Sequence, residues 1–224
     1  MTEPAPDLAE PPAGRSRVAA VLSDLRAVDG ALYAAVAATP TPTLDKALRR
    51  LSAAADHSKL SFGIAALLAV SGPRARRAAY AGVGAIAIAS TTANVLGKRL
   101  VRRARPDREG ARVHVDRHVP MPTSASFPSG HTASAVAFAT AVGVLLPGAA
   151  IPLGTLAGAV GYSRVHTGVH YPGDVAAGGV LGIASAAAAL GVLTASAATH
   201  HAQHTHPVHP AGTTAPLQPA RALR

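Results

Sequence analysis

The twelve residues "SRVHTGVHYPGD", 163 to 174, place Arg164, His166, His170 and Asp174 between two long stretches that carry no charge. Asp174 follows His170 by four positions, and Tyr171, Pro172 and Gly173 form a turn that swings the carboxylate back to the imidazole. A carboxylate that holds one ring nitrogen fixes the tautomer and leaves the other nitrogen free to attack. The pair therefore reads as an activated nucleophile. Asp174 also stands where a helix N-cap is expected, and the two roles are compatible.

Two more polar clusters interrupt the apolar runs. In "KRLVRRARP", 98 to 106, Lys98 and Arg105 are seven positions apart, nearly two helical turns, which predicts that both project from one face of a helix stopped by Pro106. Two cations on one stripe suit a phosphate. Arg99, Arg102 and Arg103 read instead as a basic flank at a membrane surface. In "FPSGHTASA", Pro128 and Ser129 precede a helix whose first-turn amides are unpaired and carry the positive end of the dipole. Gly130 lets a ligand approach the backbone, so the amides at Ser129 and Gly130 form an anion cradle. His131, in the first helical turn, is placed to deliver a proton.

The elements that must position these residues are apolar. Of 224 residues, 49% are hydrophobic, 3% aromatic and only 14% charged, so the core is built from Ala, Val, Leu and Ile. Zero Cys excludes a disulfide scaffold and a thiolate metal site. The net charge of +10 gathers at the ends of apolar runs, which points to anionic lipid or a phosphorylated substrate, with no nucleic acid among the expected partners. The opening residues are Pro-rich and acidic, so no cleavable signal peptide is expected.

Residues 78–97 and 175–199 are uncharged and long enough to cross a bilayer as helices. Residues 132–163 carry no charge either, and Pro147, Gly148 and Pro152 predict a helix-to-helix turn in their middle. A shorter run, 60–73, spans only if its helix begins at the headgroup level with Asp56, His57 and Lys59. Residues 43–55 place Leu44, Leu48 and Leu51 opposite Lys46, Arg49 and Arg50, an amphipathic surface helix. Residues 18–38 carry Asp24, Arg26 and Asp29, too costly for mid-bilayer, and join it at the interface. The fold class expected is an all-α integral membrane bundle of about five spanning helices plus N-terminal interfacial helices. Its division is a disordered tail at 1–17, interfacial helices at 18–57, a membrane domain at 58–198 and a disordered His/Pro-rich tail at 199–224. Counting crossings brings all three polar clusters to the same membrane face.

Taken together, the clusters resemble the signature of the type 2 phosphatidic acid phosphatase superfamily. Its pattern is Lys, six residues, Arg-Pro; then Pro-Ser-Gly-His; then Ser-Arg, five residues, His, three residues, Asp. Lys98, Arg105 and Pro106, then Pro128 to His131, then Ser163, Arg164, His170 and Asp174 match every element. The resemblance implies a metal-independent lipid-phosphate phosphatase with no cofactor, working through a phosphohistidine. It implies that His170 attacks phosphorus, Asp174 orients it, and His131 protonates the leaving oxygen and then activates water. Lys98, Arg105, Ser129, Gly130 and Arg164 would hold the phosphoryl oxygens.

The lipid-phosphate substrate expected is a phosphatidate, a polyprenyl phosphate or diphosphate, or a polyprenyl-linked sugar phosphate; the chain looks similar to compact actinobacterial members of the family. The excess of Lys and Arg near the site favours a cytoplasmic placement of this face of the cell membrane, but the face stays open, since many relatives face outward and attraction of an anionic substrate explains the same excess. Two other classes compete: a vanadate-dependent haloperoxidase, against which the long apolar runs argue, and a non-catalytic phospholipid-binding membrane protein. His166 is read as a polar loop residue near the site. His57, His114 and His118 are near the site without a role, and the five histidines between 200 and 209 belong to the tail. The oligomeric state is not legible.

Overall fold

The structure, a computed structural model, describes residues 17–204, and every regular element among them is helical. Helix α1 covers Arg17–Ala38, α2 Pro42–Ala54, α3 Lys59–Val70, α4 Pro73–Thr91, α5 Gly130–Leu145, α6 Pro147–His166 and α7 Pro172–His204. α4 continues through a π turn, Thr92–Gly97, and one last α turn, Lys98–Leu100. Pro42, Pro73, Pro147 and Pro172 each open a helix, where a missing N–H costs nothing and the fixed φ is already helical.

The centre of the bundle is made of small residues. Ala81, Ala85 and Ala89 of α4 meet Ala133, Ala137 and Ala141 of α5 and Ala186 and Ala189 of α7, mostly at a spacing of four that keeps each set on one helix face. Helix backbones approach closely here. A Cβ at Gly178 would lie 2.6 Å from the Ser129 carbonyl oxygen, and one at Gly182 would lie 2.6 Å from that of Ala133. Small-xxx-small contact of this kind is how helices associate where no hydrophobic effect drives them together. The large apolar side chains face outward: Leu67 and Val70 on α3, Tyr80 on α4, Ile151 on α6, and Val180, Ile183 and Val192 on α7 are exposed.

Pro73–Leu100 and Pro172–Ser196 are long and apolar enough to cross a membrane, and Gly130–Leu145 is a shorter apolar helix. The 12 residues of α3 rise only about 18 Å, well short of a hydrocarbon layer of roughly 30 Å.

Several boundaries differ from the sequence reading. The turn between α5 and α6 is tighter, with Leu146 alone between them, and Pro152 sits inside α6, where one forgone hydrogen bond is tolerated. α7 runs to His204 rather than ending at 198, because "TASAATHHAQH" contains neither Gly nor Pro to stop it. The rest of both expected tails, 1–16 and 205–224, lies outside the described residues. α1 is more than an interfacial appendage, since its Asp29 is buried and accepts the Gly173 N–H at 2.6 Å, pinning it to the start of α7.

Candidate active site

α6 ends where Gly168 enters the left-handed region at φ 69°, a conformation that favours glycine. The reversal lets the N–H groups of Val169 and His170 both donate to the Arg164 carbonyl, at 3.1 and 3.2 Å, and this fixes His170 just beyond the helix. Asp174 lies in the first turn of α7 instead of ahead of it as an N-cap. Its carboxylate reaches back to accept the Tyr171 N–H at 2.9 Å, as the third helical residue does in a capping box.

The same carboxylate oxygen lies 3.6 Å from His170 Nδ1 and accepts a hydrogen bond from the Ser126 hydroxyl. Asp174 is fully buried and His170 is 2% exposed. On the other side of the ring, Arg105 Nη1 stands 3.3 Å from Nε2. A guanidinium can only donate, so Nε2 carries the lone pair and Nδ1 carries the proton, facing Asp174. Burial pushes the His170 imidazole down to about 4; the hydrogen bond to Asp174 opposes this, and the positive charges of Arg105 and Arg164 add to it. The ring is neutral at physiological pH with its lone pair beside a cation.

Lys98 and Arg105 do meet, though not on one helix face. The helix stops at Leu100 and Val101 is extended (φ −119°, ψ 94°), so Arg105 arrives on irregular chain. A helix carrying Arg99, Arg102, Arg103 and Arg105 would stack like charges three and four residues apart, and the residue before Pro106 disfavours the helical region. Ser124 bridges the two cations: Lys98 Nζ donates to its hydroxyl at 3.1 Å, and Arg105 Nε donates to its carbonyl at 2.9 Å. Arg103 is likewise no membrane flank. Its Nη1 lies 2.6 Å from Asp29 Oδ2 and 3.0 Å from Asp174 Oδ1, and its guanidinium stacks 3.9 Å above the Tyr171 ring.

Ser129 caps α5, its Oγ accepting from the Thr132 hydroxyl at 2.9 Å, while its own N–H donates to the Asp174 carbonyl at 2.9 Å. That amide is therefore committed within the protein, which leaves Gly130 as the part of the expected cradle that faces open space. His131 Nε2 lies 2.7 Å from Asp56 Oδ1, a residue outside all three motifs. Arg164 is 2% exposed; its Nη1 donates to Ser52 Oγ at 2.6 Å and stands 3.9 Å from Asp56 Oδ1.

One cavity of about 210 Å³ collects Lys98, Arg105, Gly130, His131 and His170, with Asp56 and Ser134 also on its wall. That is room for a phosphoryl group and its ester oxygen, with a lone pair, two cations and a second imidazole around it. His57 lines the same cavity. His166 is not a loop residue: it closes α6, is 1% exposed, and its Nε2 lies 3.0 Å from Asp45 Oδ1. Asp45 also takes the buried Arg117 Nε at 2.9 Å, and Arg117 Nη2 donates to the Thr39 carbonyl at 2.6 Å. This separate network ties α2 and the 101–129 segment to α6. His114 is exposed beside Asp116, and His118 Nε2 pairs with the Val113 carbonyl at 3.1 Å.

Residues 79–197 match the PAP2 superfamily, and the chain belongs to that family. It is 41% identical over 128 residues to the decaprenylphosphoryl-5-phosphoribose phosphatase of Mycobacterium tuberculosis (strain H37Rv), a match spanning 55% of this chain and 66% of that relative, just under two thirds of its length. To the protein of the same name from Mycolicibacterium smegmatis it is 37% identical over 158 residues, spanning 68% of this chain and 82% of the relative. Two solved structures share the fold. The transmembrane PAP2 type phosphatidylglycerolphosphate phosphatase of Bacillus subtilis superposes with a TM-score of 0.59 at 23% identity, covering 75% of this chain and 86% of that one. Aquifex aeolicus LpxE superposes with a TM-score of 0.57 at 26% identity, covering 71% and 92%.

Proposed function

We propose that this protein is a membrane phosphatase that hydrolyses a lipid-linked phosphate through a phosphohistidine on His170, with a polyprenylphosphoryl sugar phosphate of the decaprenylphosphoryl-phosphoribose type as substrate. The observation that carries the reading is the neutral His170, its Nε2 facing a cavity shared with His131, Lys98 and Arg105 while Asp174 holds Nδ1. The names of the mycobacterial relatives support the substrate class.

In the first half-reaction the Nε2 lone pair forms a bond to phosphorus as the ester P–O bond breaks, and His131 gives its proton to the departing oxygen. Lys98, Arg105 and the Gly130 amide meet the charge that spreads over the phosphoryl oxygens. In the second, His131 takes a proton from water, whose oxygen bonds to phosphorus as the N–P bond breaks, releasing inorganic phosphate. Asp174, buried and ionised, stabilises the imidazolium of each transition state.

We place the lipid chain against the apolar wall that adjoins the site. An apolar crevice bounded by Ile64 of α3, Ala135 and Phe138 of α5 and Leu156 of α6 also includes His131 in its wall. Around this crevice α4 to α7 cross the bilayer, α3, with only 12 residues, enters it as a fifth and partial span, α1 and α2 lie at the interface, and the 58–198 segment is the catalytic domain. Lys46, Arg49, Arg50 and Lys59 at the polar end favour its placement in the cytoplasm. Because the sequence contains zero Cys, single cysteines introduced at Lys46 and Arg76 report sidedness directly by impermeant labelling of intact cells.

The reading is tested by quenching purified protein during turnover of decaprenylphosphoryl-phosphoribose phosphate. An acid-labile phosphoryl group on His170 by mass spectrometry, absent from His170→Ala together with phosphate release, is the expected result. Full turnover by His170→Ala would overturn it.

A further inference from the structure

A carboxylate is a costly thing to place on the wall of a cavity that holds a phosphate, because two anions there repel each other with little water between them. Asp56 is such a group: it lines the cavity beside Lys98 and Arg105, and its side chain is 41% exposed. It belongs to none of the three motifs. The chain also strains to put it there, since the next two residues, His57 (φ 55°) and Ser58 (φ 57°), both stand in the left-handed region that non-glycine residues seldom occupy. Consecutive residues held so are found where the surrounding structure imposes them, commonly beside functional groups. The carboxylate is aimed by that turn at two partners, His131 Nε2 at 2.7 Å and Arg164 Nη1 at 3.9 Å.

We infer that Asp56 is a positioning residue for His131, forming a second His–carboxylate pair that makes this imidazole the acid and base of the reaction, an inference that rests on the phosphohistidine reading. Apart from Asp56, the charged groups around His131 are cations: Arg164 stands beside the same carboxylate, and Lys98 and Arg105 share its cavity. A histidine surrounded by cations is seldom protonated, and so has no proton to give, unless an anion is fixed against it. Asp56 supplies that anion. It holds one ring nitrogen and leaves the other to give a proton to the leaving oxygen as the P–O bond breaks. The same nitrogen accepts a proton from water as the N–P bond to His170 is cleaved. Ser52 of α2 holds the Arg164 guanidinium of α6, which in turn stands beside the Asp56 carboxylate.

Leaving-group dependence separates this role from a structural one. Asp56→Asn keeps the shape and removes the charge. With an alkyl phosphate, whose alkoxide must be protonated as it leaves, turnover should fall about 100-fold, the low end of what a positioned acid–base group contributes. With p-nitrophenyl phosphate, whose phenolate leaves without a proton, the first turnover should fall far less. The second step then stalls, giving a burst of nitrophenol stoichiometric with enzyme and an accumulated phosphohistidine. His131→Ala should show the same pattern, and the double variant should be little worse than either single one, as for groups that act as a unit. Equal losses on both substrates without a burst would overturn the inference, as would an unchanged rate on the alkyl phosphate. Should Asp56→Asn fail to fold, Asp56→Glu keeps the charge one methylene further out, and the same burst on the aryl substrate is required of it. Wild-type protein that forms phosphohistidine while Asp56→Asn shows no leaving-group dependence sinks this inference alone; wild-type protein that turns over without phosphohistidine sinks the reading beneath it.

Discussion

Arg103 lies between two carboxylates, 2.6 Å from Asp29 of α1 and 3.0 Å from Asp174 of α7, so one guanidinium joins the N-terminal helix to the partner of His170. Asp174 is fully buried, and an uncompensated carboxylate in that position is expensive. Arg103→Gln removes the cation and leaves Asp174 with the Ser126 hydroxyl, the Tyr171 N–H and the His170 Nδ1–H. We expect a loss of about 2–3 kcal/mol in stability, moderated by the partial exposure of Arg103, and a fall in kcat of roughly tenfold or more as Asp174 ionises less readily. Thermal unfolding in detergent and phosphate release per folded molecule measure the two effects. An unchanged kcat would mean that Asp174 does not depend on this pairing.

The His170 imidazole is held down to about 4, first by burial. Its unfolded counterpart titrates near 6.5, so between those values the unfolded chain binds a proton that the folded chain refuses. Stability therefore falls as pH drops through that window and is unaffected by this residue above it. The resonance of the His170 ring should titrate with a midpoint near 4 in detergent, and in Arg105→Ala the midpoint should move upward because one repelling charge is gone. The thermal midpoint of His170→Gln should decline less than that of wild type between pH 6.5 and 4.5. A midpoint of 6 or higher for His170 in the wild-type protein would contradict a buried neutral nucleophile.

Gly178 and Gly179 are neighbours in sequence with opposite surroundings. A Cβ on Gly178 would press 2.6 Å from the Ser129 carbonyl, at the head of α5, whereas one on Gly179 would meet nothing within 4 Å. Gly178→Val should push the Ser129–His131 turn away from Asp174, abolishing turnover and lowering the thermal midpoint by several degrees. Gly179→Val, on the open side of the same helix, should retain both. Comparable behaviour of the two variants would show that α5 and α7 are not packed as described.

Much of this arrangement is written in local signals. Four-residue spacing of Ala, runs free of charge and prolines at helix starts mark α4 to α7, because each depends only on neighbours in the chain. The gathering of Lys98, His131 and His170 is legible from counting crossings. Partners contributed from far along the chain are not. Asp56 is 75 positions from His131, and in sequence it is one acidic residue at the mouth of an apolar run. Arg103 and Arg117 look like surface charge in a basic stretch until Asp29 and Asp45 are brought to them from α1 and α2. Proximity in the chain groups His166 with His170. The two point different ways because α6 continues through His166, placing it against α2, before Gly168 reverses the backbone.

Ala135 sits one helical turn beyond His131 on α5 and lines the apolar crevice that opens from the site toward α3 and α6. If the lipid chain of the substrate lies there, filling the crevice should separate long substrates from short ones. The crevice holds only about 20 Å³, so Ala135→Phe fills it, and because Ala135 is half-buried the ring can turn outward instead of into the Ala133–Ala137 contact. The expected outcome is a loss of about 10-fold or more in kcat/KM for a decaprenyl-linked phosphate, with hydrolysis of p-nitrophenyl phosphate within about twofold of wild type, since the latter has no chain to accommodate and the cavity around His170 is untouched. Steady-state kinetics on the two substrates in the same detergent decide it. A parallel loss on both would indicate damage to His131 one turn away, and an unchanged lipid rate would place the chain elsewhere on the bundle.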